Sequence, residues 1–131
     1  MTPETLLSLA KEAMMKAYAP YSDYFVGAAL LTKAGKVYTG CNIENSAYGP
    51  TNCAERTAFF KAVSEGERDF AAIAVVGGKH GEITGLFPPC GICRQVMQEF
   101  CGPEFVIYMG RENDGYEAVA LKDLLPYGFS L

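Results

Sequence analysis

Two short segments of this 131-residue chain carry side chains that could do chemistry together: Cys53-Ala54-Glu55-Arg56 and Pro89-Cys90-Gly91-Ile92-Cys93-Arg94-Gln95. A C-x-x-C turn presents two thiolates to one tetrahedral ion, and a third thiolate from elsewhere completes a three-ligand set. Three protein ligands leave one position open for water, the arrangement of a catalytic zinc and not of a structural one. A regular helix turns about 100° per residue, so positions two apart point about 200° apart. Cys53 and Glu55 are therefore poorly placed to ligate together from a helix interior. At a helix start, Cys53 reaches the metal while Glu55 overhangs its open position, which pairs a ligand with a general acid/base.

Three thiolates around Zn²⁺ leave the site formally one unit negative, which makes a bound water a poorer acid than neutral histidines would. Something must draw charge off the sulfurs. The N-termini of the two helices can do so, and Arg56 is placed to donate hydrogen bonds to the ligand thiolates. His80 is the only histidine and sits in a glycine-rich loop, so the metal site is expected to be all thiolate. Cys41 and Cys101 read as small core residues.

The elements that must position these groups follow from patterning. Thr2 caps a first helix with Pro3 at its first position, and Leu6, Leu9, Ala10, Ala13 and Ala17 carry helical spacing to about Tyr18. Phe25–Thr32 and Val37–Cys41 read as strands around the turn Lys33-Ala34-Gly35-Lys36. Asn42 to Asn52 is a polar loop. A helix then runs from Cys53 to before Gly66, and Phe70–Val76 is an apolar strand buried on both faces. A loop rich in glycine and proline leads to a helix over Gly91–Phe100, a strand over Phe105–Met109, a turn at Asn113-Asp114-Gly115, a strand over Tyr116–Ala120 and a helical turn at Leu121–Leu125. Strands alternating with helices predict an α/β fold, a three-layer α/β/α sandwich with a mixed central sheet. The whole of residues 1–131 is expected to form a single domain.

Composition narrows the partners. Eleven Lys and Arg against fifteen Asp and Glu give a net charge of −4. The basic residues are scattered singly and form no stripe, which argues against a nucleic-acid partner. No run approaches the roughly 18 apolar residues of a membrane helix. No basic leader opens the chain, so the expected location is the cytoplasm. Five cysteines are an odd number for a disulfide framework and suit metal binding better.

The pattern C-A-E…P-C-G-I-C resembles the H-x-E…P-C-x-x-C signature of the zinc-dependent nucleobase deaminases, in its all-cysteine form. Together with Ala19-Pro20-Tyr21-Ser22, Val26-Gly27-Ala28-Ala29, Gly40-Cys41-Asn42-Ile43-Glu44-Asn45, Cys53-Ala54-Glu55-Arg56-Thr57 and Cys90-Gly91-Ile92-Cys93-Arg94-Gln95, it resembles the short homotetrameric cytidine deaminases, in the same order and spacing over nearly the whole chain. The resemblance implies that Cys53, Cys90 and Cys93 hold Zn²⁺. It implies that Glu55 takes a proton from the attacking water, passes it to ring N3 and later delivers one to the leaving amine. Asn42 and Glu44 match the pair that hydrogen-bonds the ribose hydroxyls; on an extended segment, residues two apart point the same way. Tyr24 stands where the family usually has a phenylalanine against the pyrimidine. Phe129 resembles a C-terminal aromatic inserted into a neighbouring subunit's site. The expected activity is hydrolytic deamination of cytidine or deoxycytidine in pyrimidine salvage by a homotetramer.

Singly, these residues have plainer readings. Cysteines clip structural zinc, a first-turn Glu is favoured by the helix dipole, an arginine is solvated, loop residues such as Asn42 and Glu44 cap turns, and isolated aromatics pack in cores. Three other functions compete with this one. A deaminase of bases within RNA or DNA would need a basic surface. A same-fold deaminase of another aminopyrimidine nucleoside, such as an antibiotic, would not need Asn42-x-Glu44. A zinc-stabilised binding module would need a fourth ligand, for which only Cys41 and Cys101 stand as candidates.

Overall fold

The structure is a computed structural model that describes all 131 residues. Its elements are α1 (Pro3–Met14), β1 (Tyr24–Thr32), β2 (Val37–Cys41), α2 (Ala54–Ser64), β3 (Phe70–Lys79), α3 (Gly91–Phe100), β4 (Val106–Gly110), β5 (Tyr116–Ala120) and α4 (Leu121–Leu124), with a 3₁₀ turn at Glu112–Asp114. The five strands form one sheet in the order β2-β1-β3-β4-β5. The β1–β2, β1–β3 and β4–β5 pairs are antiparallel and β3–β4 is parallel, so the sheet is mixed, as expected.

Alternate residues of each strand feed opposite layers. Val26, Ala28 and Leu30 of β1, Ile73 and Val75 of β3 and Ile107 and Met109 of β4 pack with Ala54, Ala58, Phe59 and Ala62 of α2 and Met97 of α3. Ala29, Ala72, Ala74 and Val76 face the other way onto Leu6, Leu7, Ala10 and Met14 of α1. The three layers follow. At two crossings the backbones approach so closely that only glycine fits. A Cβ at Gly27 would lie 2.0 Å from Ala10 O in α1, and one at Gly40 would lie 2.5 Å from Ala54 O in α2. The second contact seats the N-terminus of α2 against β2.

Two boundaries differ by more than one residue from the sequence expectation. Helix α1 ends at Met14, not Tyr18, because Tyr18 leaves the helix to bridge Ile43: its N–H donates to Asn42 O at 3.0 Å and its carbonyl accepts from Glu44 N at 2.8 Å. Strand β3 continues past Val76 through Gly77 and Gly78, which pair with Val26 and Phe25. Those glycines mark close approach and not a loop: a Cβ at Gly78 would lie 1.7 Å from Glu82 O, and one at Gly77 would lie 3.0 Å from the Phe87 ring. No helix is long and apolar enough to cross a membrane.

Candidate active site

Both ligand-bearing helices begin with a cysteine. Cys53 is the N-cap of α2 and Cys90 the N-cap of α3, each with extended backbone. Cys90 Sγ accepts the N–H of Cys93 at 3.4 Å, so this sulfur also caps its helix. Cys93 lies one turn in and is 1 % exposed. The three Sγ atoms fall within 4.8 Å of one another, and neither Cys41 nor Cys101 joins them. Sulfurs each ~2.3 Å from a tetrahedral zinc stand about 3.8 Å apart, and Cys53 Sγ lies 3.7 Å from Cys90 Sγ. The donor set and its spacing fit zinc.

Electrostatics of the cluster agree with that fit. A hydrogen bond from Cys93, helped by others from Arg56 and Cys90, takes the Cys53 thiol down to about 5. The same contact with Cys53, followed by burial, drives Cys93 in the opposite direction. Crowded sulfurs hold on to a proton until a cation neutralises them. Arg56 Nη2 donates to Cys53 Sγ at 3.2 Å. Its Nε is buried without a hydrogen-bond partner.

Glu55 is 2 % exposed, in the first turn of α2. Burial pushes its carboxyl up to about 7, and the charge of Cys53 adds to the rise. A carboxyl poised near neutrality can both accept and return a proton.

Above these groups lies a cleft of about 290 Å³ whose lining includes Cys53, Glu55 and Cys90 as well as Asn42, Glu44 and Tyr24. The structure thus brings eight of the nine sequence-predicted residues to one place, six on the cleft wall and Cys93 and Arg56 directly behind it. Phe129 is the exception. It is 68 % exposed at the C-terminus, where its carbonyl accepts from Gln95 Nε2 at 3.1 Å, and it does not line the cleft of its own chain.

Asn42 and Glu44 are already engaged with the wall. Asn42 Oδ1 accepts from Val26 N at 2.9 Å, and its Nδ2 donates to Tyr24 O at 2.7 Å. Glu44 Oε1 accepts from the N–H groups of Tyr21 at 2.9 Å and Ser22 at 3.1 Å, and Oε2 accepts from Ser22 Oγ. The Ser22 hydroxyl, then these backbone donors, hold the Glu44 carboxyl below its ordinary value. Behind the rim, Ile43 bridges Asn52, whose Nδ2 donates to Thr57 Oγ1 at 3.2 Å; Thr57 in turn donates to Cys53 O at 3.1 Å.

Sequence reasoning missed Phe87, Val26 and Thr51, which also line the cleft. A signal for Phe87 existed. Glycines interrupting an apolar strand mark a place where something large sits close, and Phe87 covers Gly77.

A sheet that presents sulfur donors at two helix starts, with a desolvated carboxyl beside them, defines a zinc-dependent hydrolase of the deaminase fold. Comparison with known proteins carries this further. Residues 1–109 match the cytidine and deoxycytidylate deaminase zinc-binding region, and the chain belongs to that family. It is 51 % identical over 130 residues to a cytidine deaminase of Sporosarcina psychrophila, covering 99 % of this chain and 93 % of that one. A cytidine deaminase of Halalkalibacterium halodurans is 48 % identical over 99 % of this chain and 96 % of its own. The crystal structure of cytidine deaminase from Burkholderia pseudomallei superposes with a TM-score of 0.91 at 50 % identity, covering 98 % of this chain and 100 % of that one.

Proposed function

We propose that this protein hydrolyses the exocyclic amine of cytidine or deoxycytidine, giving the uridine nucleoside and ammonia, with Cys53, Cys90 and Cys93 holding one zinc ion. The observation that carries the reading is a carboxylate 2 % exposed beside three sulfurs within 4.8 Å, on the wall of a nucleoside-sized cleft. Bound there, zinc supplies Lewis-acid activation of water. Glu55 does the proton work: ionised, it takes the proton of the attacking water and hands it to ring N3 as the water oxygen bonds to C4. It then takes the remaining proton of that oxygen and delivers it to the amine, so that C4 becomes a carbonyl and ammonia leaves. Water and cytidine are consumed, and uridine and ammonia are the only products.

Arg56 withdraws electron density from Cys53 and orients it. Asn42 and Glu44 meet the ribose hydroxyls, and Tyr24 packs beside the pyrimidine. Phe129, exposed on a tail tied to α3, completes the cleft of a neighbouring subunit in a homotetramer. The net charge of −4 favours a free nucleoside over a polyanion. The physiological setting is pyrimidine salvage in the cytoplasm.

The test is zinc analysis of purified protein alongside the fall in cytosine absorbance on mixing with cytidine. One zinc per chain and turnover abolished by chelation are expected. Folded, zinc-loaded protein that leaves cytidine untouched would overturn the reading.

A further inference from the structure

The Glu44 carboxylate and the Tyr24 ring approach the cleft from different parts of the chain, yet a single side chain outside the cleft wall joins them. Ser22 Oγ donates its proton to Glu44 Oε2 and accepts the N–H of Tyr24 at 3.1 Å. A hydroxyl has one proton to give and two acceptor positions, so it serves both partners at once. The N–H of Ser22 itself, at 3.1 Å, and that of Tyr21, at 2.9 Å, occupy Glu44 Oε1. The acceptor capacity left for a ligand therefore sits mainly on Oε2, the oxygen whose orientation Ser22 sets. The Tyr24 peptide is held at both ends, by Ser22 at its N–H and by Asn42 Nδ2 at its carbonyl. Between Ser22 and Tyr24 the chain turns through Asp23 at φ 61°, a left-handed conformation that β1 does not itself impose.

We propose that Ser22 is a positioning residue for nucleoside recognition, fixing the Glu44 carboxylate and the Tyr24 backbone in one register. This rests on the reading of Glu44 as a ribose contact. Removing the hydroxyl leaves Glu44 Oε2 free to rotate off its target and Tyr24 N–H without its acceptor. The chemistry over Cys53, Glu55 and Cys93 stays as it was, because none of these groups touches Ser22. Binding weakens mainly for ligands that carry hydroxyls for Glu44, because Asn42 Nδ2 and the pairing of Tyr24 with Lys79 still hold the Tyr24 backbone.

The experiment compares wild type, Ser22→Ala and Ser22→Thr on cytidine and on 2′,3′-dideoxycytidine. Ser22 is exposed, so neither change opens a core cavity. The alanine variant is expected to raise KM for cytidine about tenfold, with kcat and the KM for the dideoxynucleoside each within about twofold. Ser22→Thr keeps the hydroxyl and restores the cytidine KM. Equal changes in KM for the two nucleosides, or a fall in kcat at constant KM, would overturn the proposal by showing a general structural defect. Wild type that favours neither nucleoside removes the ribose reading and the proposal with it. Wild type that favours cytidine, beside an alanine variant that does so equally, removes the proposal alone.

Discussion

The floor and the rim of the cleft are built by different physics. On the floor, Cys53, Glu55, Cys90 and Cys93 stand at the first turns of two helices seated on the sheet, and their placement follows from close backbone packing such as that of Gly40 against Ala54. On the rim, Asn42 and Glu44 come from a loop-like segment and keep their place through side-chain hydrogen bonds to backbone at residues 21–26. Buried Glu55 is shifted by desolvation; half-exposed Glu44 is shifted by the donors around it. A rigid floor suits proton transfer, where geometry must hold to fractions of an ångström.

Four changes break or sharpen that contrast. The largest effect is expected at Glu55→Gln, which keeps shape and removes the proton carrier: kcat should fall by about 10⁴-fold while zinc content is unchanged. Steady-state rates beside metal analysis decide it, and a variant retaining a tenth of wild-type turnover would remove Glu55 from the chemistry.

Next comes Gly40→Ala, whose new methyl collides with Ala54 O and Ala58 N. Overpacking of this kind costs about 3 kcal/mol, and here the strain falls on the helix that starts at Cys53. Chemical denaturation should show the loss, and competition with a chromogenic chelator should show weaker zinc retention. A destabilised variant with undiminished zinc affinity would mean that the floor does not depend on this contact.

Arg56→Ala withdraws the donor to Cys53 Sγ. Zinc affinity should drop about 10- to 100-fold, measured by the same competition, with the KM for cytidine nearly constant because the rim is untouched. An unchanged affinity would leave Arg56 without a role toward the metal.

The smallest effect is expected on the rim at Tyr24→Phe. The structure holds Tyr24 by its backbone, and its hydroxyl makes no hydrogen bond within the chain. KM for cytidine should move by no more than about twofold; a tenfold rise would show that the hydroxyl meets the substrate directly.

What the sequence revealed follows the same division. The floor was legible because residue type and spacing carry the chemistry: cysteines at helix starts, one with a glutamate two residues on, need no knowledge of the fold to be noticed. Helix α3 and strand β5 match their expected limits because their patterning is local. The errors arose where distant contacts override local pattern. Ala17 continues the helical spacing, yet Tyr18 is drawn out of α1 by the main chain at Asn42 and Glu44. Gly77 and Gly78 read as loop, yet they extend β3 because Phe87 and Glu82 lie against them. Phe87 is missed, and Ser22 stands in a matched motif without a role, for the same reason: one acts by covering a glycine ten positions away and the other by gripping a carboxylate 22 positions away.

The two capping cysteines lie 37 positions apart in sequence, and the strand between them, β3, is the middle member of the sheet. Their sulfurs are held together by that strand lying between its two neighbours, with both helices docked on the same face. An unfolded chain offers an ion at most the local pair Cys90 and Cys93, whereas the finished topology adds Cys53 to complete the chelate. Binding of the ion therefore favours the folded chain and resists its unfolding.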